Sequence, residues 1–135
     1  MTIPKKVLVV DDYGDLLELL GTVLTSLGWD PILANSGRDA LSKLGYGVPS
    51  VILLDIRMAE MNGFELAGIL KKHPVYSNIP ILAASAYPAL LVRERCLAAG
   101  CDDFIAKPFA IPALGTRLTD LASAGKTKPI EGTRL

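Results

Sequence analysis

Four short apolar runs in this chain each stop at a polar side chain able to do chemistry. Val7 to Val10 stops at Asp11 and Asp12, and Val51 to Leu54 stops at Asp55. Ile79 to Ala84 stops at Ser85, and Phe104 to Ala106 stops at Lys107, with Pro108 behind it. Short continuous apolar runs separated by helical patterns are the mark of strands buried on both faces of a parallel sheet. Parallel strands bring all their carboxyl ends to one edge. In an open α/β sheet the crevice at that edge, where strand order reverses, is where ligands bind. Three carboxylates, one hydroxyl and one ammonium, far apart in sequence, are therefore expected in one crevice.

The segments between the runs supply the helices. Leu16, Leu17, Leu20, Val23, Leu24 and Leu27 recur at helical spacing, which predicts a helix from about Asp15 to Leu27 with Gly28 past its end. Trp29 to Ala34 is less apolar and contains Pro31, which suits a strand at the sheet edge. Ser36 is placed to cap a short helix ending near Tyr46. Further helices are expected from Gly63 to Lys72, from Ala89 to Ala99 before Gly100, and from Ile111 to Ser123. Strands alternate with helices throughout, and right-handed crossovers then give a doubly wound (βα)5 three-layer sandwich. With the Pro31 strand at an edge, the flavodoxin-like order 2-1-3-4-5 follows. The single domain spans 1–124, and the polar, aperiodic stretch 125–135 reads as a disordered tail.

Composition narrows the class of partner. Acidic and basic residues number 14 each, so no net charge draws the chain to nucleic acid or to an anionic membrane. No apolar stretch approaches the roughly 18 residues of a membrane span, and Lys5-Lys6 with the short run behind it reads as too short for a signal peptide. The two cysteines, Cys96 and Cys101, have too few companion ligands for a metal and read as reduced thiols. A cytoplasmic protein is expected.

Each acid by itself has an ordinary reading, because Asp starts turns and caps helices. Convergence changes that. Carboxylates at adjacent strand ends repel one another and need a cation. An all-oxygen donor set suits Mg²⁺. One carboxylate oxygen then stays available as a nucleophile, and carboxylate nucleophiles make acyl phosphates. Phosphoryl transfer needs positive charge around the equatorial oxygens, which a metal and Lys107 can supply, and Ser85 can donate a hydrogen bond.

The motifs VLVVDD, VILLDIRMAEMNG, ILAAS and AGCDDFIAKPF, in this order, resemble those of the receiver domain of two-component response regulators, over about Lys5 to Ala124. The resemblance implies that Asp55 is the phosphoacceptor. It implies a Mg²⁺ site made by Asp11, Asp12, Asp55 and the backbone carbonyl of Arg57. Ser85 becomes the switch hydroxyl, Phe104 the switch aromatic, Lys107 the phosphate-contacting lysine, and Lys107-Pro108 a cis peptide. Phosphorylation would draw Ser85 toward Asp55 and let Phe104 rotate inward. It would thereby reshape the face made by the fourth helix, fifth strand and fifth helix.

The implied donor is a histidine kinase or a histidine phosphotransfer protein. A downstream protein reads the face, and a second copy of the chain is a further partner after phosphorylation. No output domain, no direct nucleic-acid contact and no membrane insertion are expected. The domain would catalyse only its own phosphorylation and dephosphorylation. Ala59 stands where the family often has Pro, Pro88 follows the switch hydroxyl closely, and the resemblance implies that Arg57 and Tyr87 flank the approach of hydrolytic water. Two other classes stay open: a Mg²⁺-dependent hydrolase with an Asp nucleophile, and a receiver-like scaffold that binds without phosphorylation.

Overall fold

A computed structural model describes the backbone at residues 5–86 and 89–133, and side chains at 5–86 and 92–124. Five strands, β1 (Lys6–Val10), β2 (Asp30–Ala34), β3 (Val51–Asp55), β4 (Ile81–Ser85) and β5 (Asp103–Ala106), alternate with five helices. The helices are α1 (Gly14–Ser26), α2 (Gly37–Leu44), α3 (Gly63–Lys72), α4 (Ala89–Ala99) and α5 (Ile111–Thr133). All strand pairs are parallel, in the order β2-β1-β3-β4-β5. The expected (βα)5 sandwich and its order are both present. β2, with Pro31, lies at one edge, where a residue without an N–H does least harm.

Strand residues alternate between two apolar layers. Val7, Val9, Leu53 and Leu82 face a layer completed by Leu17, Leu20 and Leu24 of α1 and Leu114 and Leu118 of α5. Leu8, Val10, Ile52, Leu54 and Ile81 face the opposite layer, with Ala40 and Leu44 of α2, Leu66 and Leu70 of α3, and Val92 and Cys96 of α4. Both faces are covered, so the strands are apolar on both sides and read as unbroken runs. The two layers fix the strand ends, and with them the crevice.

Most boundaries fall where the periodicity puts them. Ser36 caps α2, accepting from the Asp39 N–H at 3.0 Å. β4 starts at Ile81 rather than Ile79, because Pro80 has no N–H to give the ladder. α5 continues to Thr133, past the expected end near Ser123. The tail expected to be disordered over 125–135 is thus helical backbone as far as Thr133. Its side chains, and Arg134 and Leu135 altogether, lie outside the described residues.

Both cysteines are buried and unbridged. Burial pushes the Cys101 thiol up to about 12, and Cys96 and Asp102 beside it add to the effect. Such a thiol is a poor nucleophile, as the reduced reading expects.

Candidate functional site

The crevice at the carboxyl ends of the strands is a cleft of about 290 Å³. Asp11, Asp12, Asp55, Arg57, Ser85 and Lys107 all line it, together with Tyr13, Leu16 and Ala86. Six of the predicted site residues are therefore in one place.

Each is set there by its strand. The Asp11 N–H donates to Ala34 O at 3.1 Å and the Ile56 N–H to Ala84 O at 3.0 Å, which continues the ladder through the strand ends. The Lys107 N–H donates to Ser85 O at 2.8 Å, so the lysine and the hydroxyl are linked through the main chain. The Lys107-Pro108 peptide is cis, as the resemblance implies. Behind Asp55 the chain turns sharply into α3, whose Asn62 and Glu65 form a reciprocal capping box. Gly63 makes that turn possible. A Cβ there would lie 2.7 Å from Ile56 Cα and 2.8 Å from Asp55 O.

Asp11 and Asp55 are 3% and 8% exposed, and Ser85 is 1% exposed. The Lys107 ammonium donates to Asp11 Oδ2 at 3.2 Å and to Asp55 Oδ1 at 3.1 Å. Asp11 also accepts from the Tyr13 N–H at 3.0 Å, which fixes the start of α1. Carboxylate oxygens of Asp11, Asp12 and Asp55 lie within 4.8 Å of one another.

Burial raises the Asp55 carboxyl above the ordinary carboxylate range. Lys107 pulls it back, while Asp11 and Asp12 push it further up. At Lys107 burial acts downward, but the attraction of Asp55 and Asp11 outweighs it and the ammonium is held above its usual value. The lysine stays charged, and the acids remain in excess over it. Three carboxylates gathered at one point, two of them buried and all offering oxygen donors, fit a hard divalent cation such as Mg²⁺.

Two parts of the site were not evident from the sequence. The Ala59 N–H donates to Asp12 Oδ2 at 2.9 Å and ties the β3–α3 loop to the cluster. A proline at this position could not make the bond, so the signal was the alanine itself. The next residue, Glu60, takes a left-handed φ of 63°, which bends the loop at some conformational cost. Tyr13, just ahead of α1, and Leu16 in its first turn also line the cleft, and Leu16 looks like one more residue of an apolar stripe.

Phe104 does not line the cleft. It is 4% exposed and belongs to the apolar layer that holds Ile81, Ala83, Val92 and Cys96. Tyr87 and Pro88 lie outside the described residues. No helix among the described residues is long and apolar enough to cross a membrane.

Residues 7–119 match the response regulator receiver domain family. The chain is 34% identical over 118 residues to the transcriptional regulatory protein TrcR of Mycobacterium tuberculosis, covering 87% of this chain and 45% of that protein. It thus spans about half the length of the first curated relatives it matches. Protein PilG of Pseudomonas aeruginosa is 30% identical over 105 residues, 78% of each chain. Among solved structures, the chemotaxis protein CheY4 of Vibrio cholerae superposes with a TM-score of 0.82 at 28% identity, covering 87% of this chain and 98% of that one. The receiver domain of the sensor histidine kinase PA1611 of Pseudomonas aeruginosa, with a magnesium ion coordinated in its active-site cleft, gives 0.81 at 27% identity, covering 89% and 98%.

Proposed function

Since the chain belongs to the response regulator receiver domain family of two-component signalling, we propose that it accepts a phosphoryl group on Asp55 from a phosphohistidine protein. The observation that carries this reading is the Lys107 ammonium bridging Asp11 and Asp55 in a cleft that also holds Asp12 and Ser85. Lys107 engages one Asp55 oxygen, so the carboxylate keeps another for bond formation. An Asp55 oxygen bonds to phosphorus as the bond from phosphorus to the donor imidazole nitrogen breaks, and the imidazole leaves. Lys107 then neutralises the phosphoryl oxygens, and the Ser85 hydroxyl donates to one of them.

Asp11, Asp12, Asp55 and the Arg57 carbonyl would hold Mg²⁺. When bound, the ion offsets the repulsion of the acids and the charge of the incoming phosphoryl group. A donor histidine kinase or phosphotransfer protein has an apolar groove to meet beside the cleft. That groove is lined by Leu19, Val23, Pro108 and Phe109, and it shares Leu16, Lys107 and Ala86 with the cleft. Modified Asp55 then signals through Ser85 and Phe104 to the α4–β5–α5 face, where a downstream protein binds. The domain provides its own phosphorylation chemistry and turns over no diffusible substrate. A cytoplasmic location goes with this reading.

Acetyl phosphate with Mg²⁺ should add one phosphoryl group by intact-mass measurement, and Asp55→Asn should remove that addition. Modification that persists in Asp55→Asn would overturn the assignment. Turnover of a generic phosphate ester would favour the hydrolase instead.

A further inference from the structure

β5 is an edge strand, so half of its backbone groups have no neighbouring strand to bond. At Phe104 these groups are nonetheless engaged. The Phe104 N–H donates to Asp103 Oδ1 at 2.8 Å, and the Phe104 carbonyl accepts from Arg117 Nη1 at 2.6 Å. The same Arg117 nitrogen lies 3.3 Å from both Asp103 carboxylate oxygens. One ion pair between β5 and α5 therefore holds both main-chain groups of Phe104, on the open side of the strand. The Phe104 side chain, meanwhile, is buried in the layer that carries α4.

We propose that Arg117 is a positioning residue for Phe104, acting with Asp103 to hold the edge-strand backbone that carries the buried ring. The proposal rests on the reading that Asp55 signals through Phe104. A ring can change place only if its main chain and its neighbours permit. An ionic clamp on both main-chain groups narrows those choices and biases the equilibrium that phosphorylation is meant to shift. The pair is partly exposed, with side chains 42% and 28% accessible, so a partner or a substitution can reach it. By linkage, whatever biases Phe104 must also change the affinity of the phosphorylated-state ligand at Asp55, provided the two are coupled.

The test uses the full chain labelled with 4-fluorophenylalanine, which reports on its three phenylalanines, Phe64, Phe104 and Phe109. Phe64→Leu and Phe109→Leu assign the fluorine resonances. Arg117→Ala should move or broaden the Phe104 resonance before any ligand is added, leaving Phe64 in place. Arg117→Lys should recover part of the wild-type position. Adding Asp103→Asn to Arg117→Ala should change little more, because both remove one clamp. The midpoint for beryllofluoride with Mg²⁺ should shift several-fold in Arg117→Ala, a change that simple loss of stability would not produce.

A Phe104 resonance identical in wild type, Arg117→Ala and Arg117→Lys would overturn the proposal. If beryllofluoride leaves amides around Asp55 unmoved in the wild type, the phosphoacceptor reading fails instead. The unliganded spectra still decide the clamp in that case.

Discussion

Two half-buried lysines sit at opposite ends of this sheet, and their surroundings differ in one decisive way. Lys71, at the end of α3, donates to Asp102 Oδ2 at 3.2 Å, to Ile79 O at 3.0 Å and to Ser77 O at 3.3 Å. An ammonium has three donors, and all are used. Asp102 Oδ2 in turn accepts from the Ile81 N–H at 2.8 Å, the first amide of β4. Gly100, with φ of 108°, lets the chain pass close by, since a Cβ there would lie 2.5 Å from Lys71 Cγ. One cation meets one anion, and the remaining partners are neutral carbonyls. Lys107, by contrast, bridges two carboxylates with a third close by. The lysines are equally exposed, at 20% and 21%, so burial does not separate them. Balance does. The Lys71 end is a finished latch, and the Lys107 end gathers three carboxylates around one ammonium.

The largest effect expected from that contrast is on folding. Lys71→Ala leaves the Asp102 carboxylate and two carbonyls without their cation, and should destabilise the protein by about 3 kcal/mol. Urea denaturation measures it. Lys107→Ala should lose less, because Asp55 can take up a proton when its cation is gone. Equal losses in the two variants would mean that the ends of the sheet do not differ as their hydrogen bonds suggest.

A divalent cation gives the next largest effect. At about a hundred times its dissociation constant a ligand adds roughly 2.7 kcal/mol, so millimolar Mg²⁺ should raise the melting temperature by several degrees. The gain should persist in Lys71→Ala, which lies too far away to couple, and should shrink sharply in Asp12→Ala. A gain of the same size in Asp12→Ala would place the ion elsewhere.

The same contrast explains what the sequence made legible. Asp11, Asp55, Ser85 and Lys107 announce themselves because each interrupts an apolar run at a strand end, and the parallel sheet does the gathering. The Lys71–Asp102 latch gives no such sign. Lys71 and Lys72 look like ordinary cations in the last turn of a helix, favoured there by the helix dipole. Asp102 looks like a loop acid. Their meeting depends on how α3 and the α4–β5 loop pack, which no local pattern records. The Asp103–Arg117 clamp is hidden for the same reason. Phe104 could be identified by its place in a motif, but its burial in the layer that carries α4 comes from tertiary packing.

The smallest effect is also the one that most directly separates the two ends. Asp55 holds its proton more tightly in the folded protein than in the unfolded chain, mainly through burial and secondarily through Asp11 and Asp12, with Lys107 opposing. Across the window between the unfolded and the raised folded pKa, the native state binds more protons. Stability contributed by this group therefore falls as pH rises through that window, and the deficit stays constant above it. At neutral pH the ionised carboxylate thus costs the fold. Asp55→Asn should then be more stable than wild type by about 1 kcal/mol at pH 7 in EDTA. The advantage should fade toward about pH 4, where the unfolded chain also takes up the proton. Mg²⁺ should reverse the order, since the wild type gains a ligand that the amide holds poorly. Asp102→Asn, at the balanced end, should destabilise under the same metal-free conditions. Loss of stability in Asp55→Asn at pH 7 without metal would show that Lys107 alone satisfies its acids. The crevice would then be a second latch, with no unmet charge to draw a cation or a phosphoryl group.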